Sequence, residues 1–421
     1  MAPQLFLLHL FGVEGMSVIQ TQHLNYRFDI KVKVYTEAGT WDFSDFLTHL
    51  VIEEGEHLLT SFVVLEFYGP LEKFYKAKVF KYDEIYEVEV KLFNDQHQLV
   101  DKFKYKLFPK KYDTDLFNHV PKEKATSDEN MTKYAVVKHT VFCMPYGADG
   151  YWACFAKIYE KKKYKEIFQD FIFSELKKYL KLNQKEIDKE RKNNQKWEQF
   201  FIPWCQIKNA IAFVLQAGYG DKSPYTYYYD NTGFRLYNIK DRYKKKKKKI
   251  YLYPIYQSQW ADFKEMFITD FSIETNPDFK LMFGGKKKEP FKWIGYSRFK
   301  EATTKVKNID YLKGEKYFKK IYTKAQYPKC ITRHYFYKDI NLWADLKNVR
   351  MQFVKLNVTA NRWKKFEDLK PYKYIWQVKF TNEKLKDFDG DYVIAGLRLT
   401  LDRRHQQTLP RLDLTFKRAI K

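Results

Sequence analysis

Apolar and polar residues alternate in the first hundred positions of the chain as they do in short β-strands. Phe28, Ile30, Val32 and Val34 are apolar and the residues between them are charged, a period of two that is typical of a half-buried strand. Similar apolar segments follow at residues 50–52, 62–68, 86–93 and 100–107. Strands at this spacing predict a small antiparallel barrel or sandwich. We therefore expect a first β-barrel domain over residues 1–110, with residues 1–19 as an extension of undetermined status.

Residues 111–200 are predicted to form a linker followed by strands and a helix. The helical face recurs at Ile167, Phe168, Phe171, Ile172 and Leu176. This spacing predicts an amphipathic helix over residues 164–182. Residues 183–196 are almost wholly charged or amide-bearing, so we expect a solvated extension of that helix or an exposed connector.

Residues 201–245 predict a helix and an aromatic hairpin that pack together against a barrel. One helical face is formed by Ile207, Ala210, Ile211, Val214 and Leu215. Pro203 stands near its start and Gly218 at its end, as is typical of a helix. The tyrosine-rich segment 225–229 and the segment 234–237 then flank a turn that ends in Gly233, which predicts a hairpin because glycine supplies the positive φ of tight turns.

The last part of the chain returns to strands. Residues 246–345 predict an irregular α+β insert, and apolar strands resume at residues 351–358 and 374–380. A closing hairpin is predicted over residues 388–416, because Leu412, Leu414 and Phe416 alternate with polar residues in its return strand. Residues 346–421 are thus expected to form a second β-barrel domain. The predicted fold class is α+β, mainly β, with two small β-barrel-like domains flanking a mixed helical and irregular middle.

Composition and charge narrow the class of protein only partly. Hydrophobic residues make up 45% of the 421 residues and aromatic residues 19%, enough apolar area to offset the entropy cost of ordering the chain. The formal net charge is +25, which favours phosphates, anionic lipids or an acidic protein surface without choosing among them. An AT-rich coding genome would also enrich lysine and tyrosine, so charge alone is weak evidence of function.

Known catalytic and metal-binding patterns are absent from the sequence. Cys143, Cys154, Cys205 and Cys330 lie far apart with no C-x-x-C pair, so we expect buried free thiols rather than disulfides or zinc ligands. No H-E-x-x-H motif or defensible Ser-His-Asp order is present. We therefore predict no catalytic residue, cofactor or metal. We also predict no membrane anchor, because no apolar run approaches the roughly twenty residues of a membrane-spanning helix.

A run of six lysines at residues 244–249 predicts a loop or a solvated strand edge, because adjacent like charges repel. Two interpretations of this run stay open. It could bind nucleic acid through phosphate neutralisation, or it could be a solvated loop that contacts protein. No DNA- or RNA-binding motif accompanies it.

Three stretches of the chain carry a resemblance to a known family. The first is the N-terminal strand series, and the second is Ile202-Pro203 leading into the predicted helix and the hairpin that ends at Gly233-Phe234. The third is the G-x-Y-x-I step Gly390 to Ile394 in the closing hairpin. In this order and spacing they resemble the central baseplate hub protein of contractile-tailed bacteriophages, whose fold is shared by spike-protein hub regions of type VI secretion. The resemblance covers nearly the whole chain.

The resemblance implies a homotrimer with two similar barrels in each subunit. Three subunits then present a pseudo-sixfold ring to the tail tube and threefold symmetry to the spike. It implies a non-enzymatic structural protein of the virion, located in the tail baseplate. DNA would leave through its channel without specific binding. The expected partners are further copies of the chain, the tail tube or a tube-initiator protein, the central spike protein and, as a further candidate, the tape measure protein.

Candidate interface residues come from the aromatic hairpin, the lysine run and the closing hairpin. They are Tyr227, Tyr229, Phe234, Lys244, Lys245, Lys246, Lys247 and Tyr392. Aromatic residues are enriched at subunit interfaces, but core packing is the alternative for all four aromatic positions. The lysines are expected to face acidic neighbours or to lie at a rim rather than to line a channel.

Three other functions are alternatives to the baseplate hub. The first is the tail-tip hub of a siphophage, which shares the fold. The second is a basic nucleic-acid-binding protein, and the third is a hydrolase.

Overall fold

The computed structural model describes residues 27–55, 58–94, 96–118, 135–188, 196–217, 225–238, 247–252, 266–275, 291–297, 300–306, 330–332, 354–404 and 410–418. Strands dominate these residues, and the prediction of a mainly β member of the α+β class is confirmed.

The first β unit contains seven strands and a short helix. The strands are β1 Arg27–Thr36, β2 Gly39–Asp42, β3 Leu47–Gly55, β4 Phe62–Pro70, β5 Ile85–Phe93, β6 Leu99–Asn118 and β7 Ala135–Pro145. They are hydrogen-bonded in the order β3-β4-β7-β6-β5-β1-β2. Helix α1, Leu71–Ala77, follows Pro70 and was not predicted. The alternation in β1 has the predicted effect, because Ile30, Val32 and Val34 are buried and the lysines between them are exposed.

Strand β6 changes partner along its length. Its first half pairs with β5, and from Leu107 onward it pairs with β7, with a register shift between Pro109 and Lys111. Proline has no amide hydrogen to donate, so a bulge beside it is expected. The predicted boundary at residue 110 therefore falls inside a strand, and residues 135–145 belong to the sheet of the first unit.

The second β unit is built from the end of the chain and two strands of the predicted insert. Its strands are β13 Lys247–Leu252, β14 Met266–Thr275, β18 Val354–Trp363, β19 Ile375–Phe380, β20 Gly390–Asp402 and β21 Arg411–Arg418. Strands β14, β18, β21 and β20 pair in that order, while β19 pairs with β20 and with β13. The predicted closing hairpin is β20 with β21. Short 3₁₀ turns lie at Phe366–Leu369 and Glu383–Phe388.

The two β units share one sheet. Strand β20 pairs antiparallel with β3 from Gly396 opposite Gly55 to Asp402 opposite His49. A single hydrophobic core runs through both units, from Ile30 to Phe416. Within the described residues this 13-stranded sheet does not close into a barrel, because its hydrogen-bonded path runs openly from β14 to β2. The two expected barrels are instead two regions of one continuous sheet.

The middle of the chain forms a second layer with its own core. Its strands are β8 Cys154–Lys163, β9 Leu182–Ile187, β10 Lys196–Gln206, β11 Tyr225–Asp230 and β12 Gly233–Asn238. Its helices are α2 Tyr164–Asp170, which continues as a π-helix over Phe171–Glu175, and α3 Ile207–Ala217. The predicted helical faces of α2 and α3 are buried here, together with the hairpin residue Phe234.

Two local predictions in the middle of the chain need correction. Residues 182–187 form strand β9, which pairs in parallel with β12, and not a helix extension or connector. Pro203 lies in strand β10, and the helix begins only at Ile207. The hairpin is as predicted, with Tyr229 opposite Phe234 and a turn between Asp230 and Gly233.

Three further strands, β15 Phe291–Ser297, β16 Lys300–Val306 and β17 Cys330–Thr332, form a separate small sheet.

Candidate assembly interface

The aromatic residues predicted for an interface are mostly buried within the chain. Tyr229, Phe234 and Tyr392 are each at most 1% exposed. The Tyr229 hydroxyl donates to the Tyr146 carbonyl at 3.2 Å, and that of Tyr392 donates to the Phe388 carbonyl at 2.7 Å. This arrangement is the one expected for core packing, the alternative stated above. A contact of these three side chains with another subunit stays a prediction.

Tyr227 is the partly exposed member of the predicted aromatic group. Its ring lies 6.0 Å from that of Phe234, and its hydroxyl donates to the Lys208 carbonyl at 3.3 Å. Burial raises the pKa of Tyr227 to about 12, because the phenolate loses solvation. Tyr227 is therefore a neutral hydrogen-bond donor at the edge of the middle layer.

Among the predicted lysines, only Lys247 lies in the described part of the chain. Lys244, Lys245 and Lys246 fall outside it. Lys247 begins β13, and its Nζ lies 2.6 Å from Oδ2 of Asp391 on β20. The next residue, Lys248, lies 3.1 Å from Asp368. Lys247 and Lys248 are thus each bound to a carboxylate of the second β unit, whereas Lys249 is exposed.

A buried ionic cluster joins the two β units, and sequence patterns gave no indication of it. Lys370 follows the 3₁₀ turn of the second unit and is 1% exposed, and Glu54 on β3 is fully buried. The Lys370 Nζ donates to Oε1 of Glu54 and, at 2.8 Å, to the hydroxyl of Tyr105 on β6. Tyr105 in turn donates to the same Glu54 oxygen at 2.5 Å. A buried lysine is tolerated only when such partners replace its water shell.

The aromatic hairpin enters the same cluster through a buried arginine. Arg235 Nε lies 2.7 Å from Oδ2 of Asp230, and both side chains are fully buried. A second nitrogen of Arg235 donates to Glu367 at 2.7 Å. Burial opposes ionisation of Glu367, but the charges of Lys370 and Arg235 outweigh it and hold the pKa of this carboxyl below its ordinary value. The cluster fixes the hairpin where the two β units meet.

Further contacts hold the two units in one orientation. Asp101 on β6 accepts hydrogen bonds from the indole of Trp363 at 3.2 Å and from the backbone of Phe366 at 2.6 Å. The rings of Phe103 and Phe366 stack with centroids 4.4 Å apart. Arg403, after β20, donates to the Ser44 carbonyl at 2.6 Å. The shared ladder, the ionic cluster and these contacts thus join the two units into one platform.

An exposed apolar face lies on the outer side of the antiparallel β8–β10 pair. Ile158 and Phe201 are directly opposite each other in this ladder and are 57% and 54% exposed. Trp204, beyond a register shift in β10, is 74% exposed. Cys154 at the start of β8 is also exposed, and Cys205 is half-buried; both thiols are free. Large exposed apolar residues grouped on one face commonly mark a protein contact.

The described residues contain neither a cluster of metal ligands nor a membrane-spanning helix. No three His, Cys, Asp or Glu side chains come together there in a way that could hold a metal ion. None of the helices in this part of the chain is both long enough and apolar enough to span a bilayer.

Solved structures with a similar fold include two tail proteins and a chain of a PdpA–VgrG complex. The tail protein of Neisseria meningitidis MC58 matches with a TM-score of 0.51 at 11% identity, over 92% of this chain and 96% of that one. The 43 kDa tail protein of prophage MuSo2 from Shewanella oneidensis matches with a TM-score of 0.53 at 8% identity, over 92% and 97%. A chain of the lidded Francisella PdpA–VgrG complex matches with a TM-score of 0.50 at 11% identity, over 94% and 53%.

The likeness is one of fold and not of sequence. No protein-family model matches the chain, and a search of curated proteins finds no similar sequence. The chain nevertheless has the fold of these tail proteins over almost its whole length, and the predicted resemblance to a hub-like tail fold is confirmed at that level.

Proposed function

We propose that this protein is the structural hub of a phage-like tail baseplate, and not an enzyme. The observation that carries the proposal is the fold, which matches two tail proteins over more than nine tenths of both chains. The hub joins the tail tube to the central spike in the virion. Its expected partners are the tube or a tube-initiator protein, the spike and the tape measure protein.

The arrangement of the two β units supports a trimeric hub. They lie side by side, joined by the β3–β20 ladder, so each subunit presents two neighbouring β modules in a fixed relation. Three copies around one axis present six modules to a sixfold tube and three equivalent surfaces to a threefold spike. Closed assemblies of this kind also cover exposed strand edges. DNA passes through the central channel without specific binding.

Mass measurement and imaging test the proposal together. Purified protein is examined by mass photometry over a range of concentrations, alone and with the tube and spike proteins of the same particle. The expected species has three times the 51.1 kDa mass of one chain, and class averages of it show a ring with six lobes and threefold symmetry. A monomer at every concentration, with no ring in the presence of both partners, would refute the hub.

A variant of the junction between the units tests their fixed relation. Substituting Arg403→Ala removes the hydrogen bond to Ser44 and the 3.8 Å ion pair with Asp29, both of which join the two units. If the fixed relation of the two units is what permits ring closure, this variant forms fewer rings than the wild type. A control substitution of the exposed Lys384→Ala leaves ring formation unchanged.

A further inference from the structure

Two aromatic rings beside the middle layer are each covered by lysine side chains. The Nζ of Lys106 lies 4.7 Å from the centroid of Tyr146, and that of Lys110 lies 4.6 Å from the centroid of Trp152. Lys208, in the first turn of α3, approaches Trp152 at 5.8 Å. Lysine over an aromatic face is attracted by the ring quadrupole. We call these five residues the Trp152 surface.

The lysines of the Trp152 surface lack acidic partners. Within the part of the chain that the structure describes, Lys106, Lys110 and Lys208 form no ion pair, in contrast to Lys102, Lys104 and Lys157 nearby in the sequence or fold. The segment between Tyr146 and Trp152 holds one carboxylate, Asp149, which is exposed and pairs with none of them. The positive charge of this surface is thus available to an external partner.

The Trp152 surface adjoins the exposed apolar face of the β8–β10 pair. Trp152 precedes Cys154, which pairs with Gln206 at the end of β10, and the Ile207 amide donates to the Ala153 carbonyl at 2.9 Å. Lys208 follows directly. Trp204 lies at this same end of the β8–β10 pair, while Ile158 and Phe201 lie further along it.

We propose that the Trp152 surface and the apolar face of the β8–β10 pair together bind an acidic segment of a protein partner. Carboxylates of the partner pair with Lys106, Lys110 and Lys208, and its apolar side chains pack against Ile158, Phe201 and Trp204. Charge complementarity with the three lysines favours a negatively charged partner. The apolar residues favour protein over nucleic acid, because an exposed isoleucine offers nothing to a phosphate backbone, whereas aromatic and aliphatic anchors carry the affinity of protein interfaces. The inference does not depend on the trimeric hub.

A binding assay with defined probes tests the proposal on the full-length chain. Three fluorescent probes of equal charge are titrated: a peptide that mixes glutamate with leucine and phenylalanine, a peptide in which glycine replaces those apolar residues, and an oligothymidylate. The mixed peptide is expected to bind most tightly. Lys110→Ser with Lys208→Ser should weaken it about tenfold, the effect of losing charge pairs worth about 1.4 kcal/mol, and Trp204→Ala should weaken it by a similar factor.

The matched control removes two exposed lysines elsewhere. Lys73→Ser with Lys384→Ser makes the same change in net charge, and neither lysine forms an ion pair in the described part of the chain. This control should alter binding by less than about twofold. Circular dichroism and the melting temperature verify that each variant is folded.

Several results would overturn the proposal. These are no binding of the mixed peptide, equal binding of the two peptides, or an equal loss in the control variant. Tighter binding of oligothymidylate, lost in the Lys110 and Lys208 variant, would instead identify a nucleic-acid site. These titrations do not depend on the number of subunits, whereas the mass measurement tests the trimeric hub. Failure of the binding proposal can therefore be distinguished from failure of the hub proposal.

Discussion

Lys370 of the second β unit donates a hydrogen bond to Glu54 of the first, at a point where both side chains are at most 1% exposed. The pair is separated by more than three hundred residues of sequence. It therefore forms only when the two ends of the chain have come together. The stability of the whole platform should depend on it.

Removing the charge of Lys370 should destabilise the protein strongly. Lys370→Met leaves Glu54 buried without its cation, and breaking a buried pair in this way typically costs about 3–5 kcal/mol. The double substitution Lys370→Met with Glu54→Leu should recover part of that loss, because no unpaired charge is then buried. Guanidinium unfolding measures both free energies.

An exposed ion pair provides the control for Lys370. Lys386 lies 3.1 Å from Glu383, and their side chains are 57% and 88% exposed. Lys386→Met should change the free energy of unfolding by less than about 1 kcal/mol. Similar losses for Lys370→Met and Lys386→Met would contradict the structural role of the buried cluster.

His139 should make the stability of the protein depend on pH. It is fully buried on β7, its Nδ1 lies 2.9 Å from the Thr114 hydroxyl, and burial lowers its pKa to about 4 from 6.5. The unfolded chain binds a proton below pH 6.5, whereas the folded protein binds it only near pH 4. Stability from this group is therefore present above pH 6.5 and is lost as the pH falls toward 4, by up to about 3 kcal/mol.

The measurement for His139 is the free energy of unfolding at several pH values between 7 and 4. In His139→Gln the side chain stays neutral and can still bond to Thr114. The variant should lose less stability than the wild type over this range, since all other titrating groups are shared. Parallel curves for the two proteins would show that His139 does not titrate as described.

Gly233 should tolerate no side chain. It has a φ of +124°, and a Cβ there would lie 2.6 Å from the Lys181 carbonyl oxygen, so Gly233→Ala adds a backbone clash to the strain. Gly39 has a similar φ of +119° but open space around it. Both substitutions should cost about 1 kcal/mol or more through strain. Thermal unfolding should show a larger loss of stability for Gly233→Ala than for Gly39→Ala. Equal losses would argue against the close approach of the hairpin to β9.

Lys247 can be tested as an interface residue by exchanging charges. Lys247→Glu breaks the pair with Asp391, and the exchange Lys247→Glu with Asp391→Lys restores it in reverse. Because Lys247 is partly exposed, both variants should stay within about 1 kcal/mol of wild-type stability. If Lys247 contacts an acidic partner, both variants should assemble poorly, as measured by mass photometry. Normal assembly of the exchanged variant would assign Lys247 to the second unit alone.

Local sequence patterns predict the strands and helices of this fold better than they predict which strands pair with each other. The closing hairpin is found from the alternation in its return strand, and the aromatic hairpin from the turn that ends in Gly233. Strand β9 is missed because Asn183, Gln184 and Lys185 lack that alternation, and its pairing with β12 is a tertiary contact. The β3–β20 ladder has no local sequence signature, since any alternating strand can pair at either edge.

The same limit explains why the sequence alone does not separate interface residues from core residues. Alternation identifies Phe234 and Tyr392 as apolar positions but cannot distinguish a core from a contact between subunits. The exposed Phe201 stands beside the buried Phe200 and Ile202, and only the fold shows which of these aromatic and aliphatic residues faces outward. Buried charges such as Arg235 and Lys370 are equally hidden from sequence, because an isolated lysine or arginine is usually solvated.

The ladder between β3 and β20 also has a consequence for synthesis on the ribosome. A nascent polypeptide that has not reached residue 390 leaves one side of β3 with unsatisfied amides and carbonyls, which can recruit strands from neighbouring chains. Only a translation product that extends through β20 covers that side. Prematurely terminated molecules are thus expected to aggregate through this uncovered strand.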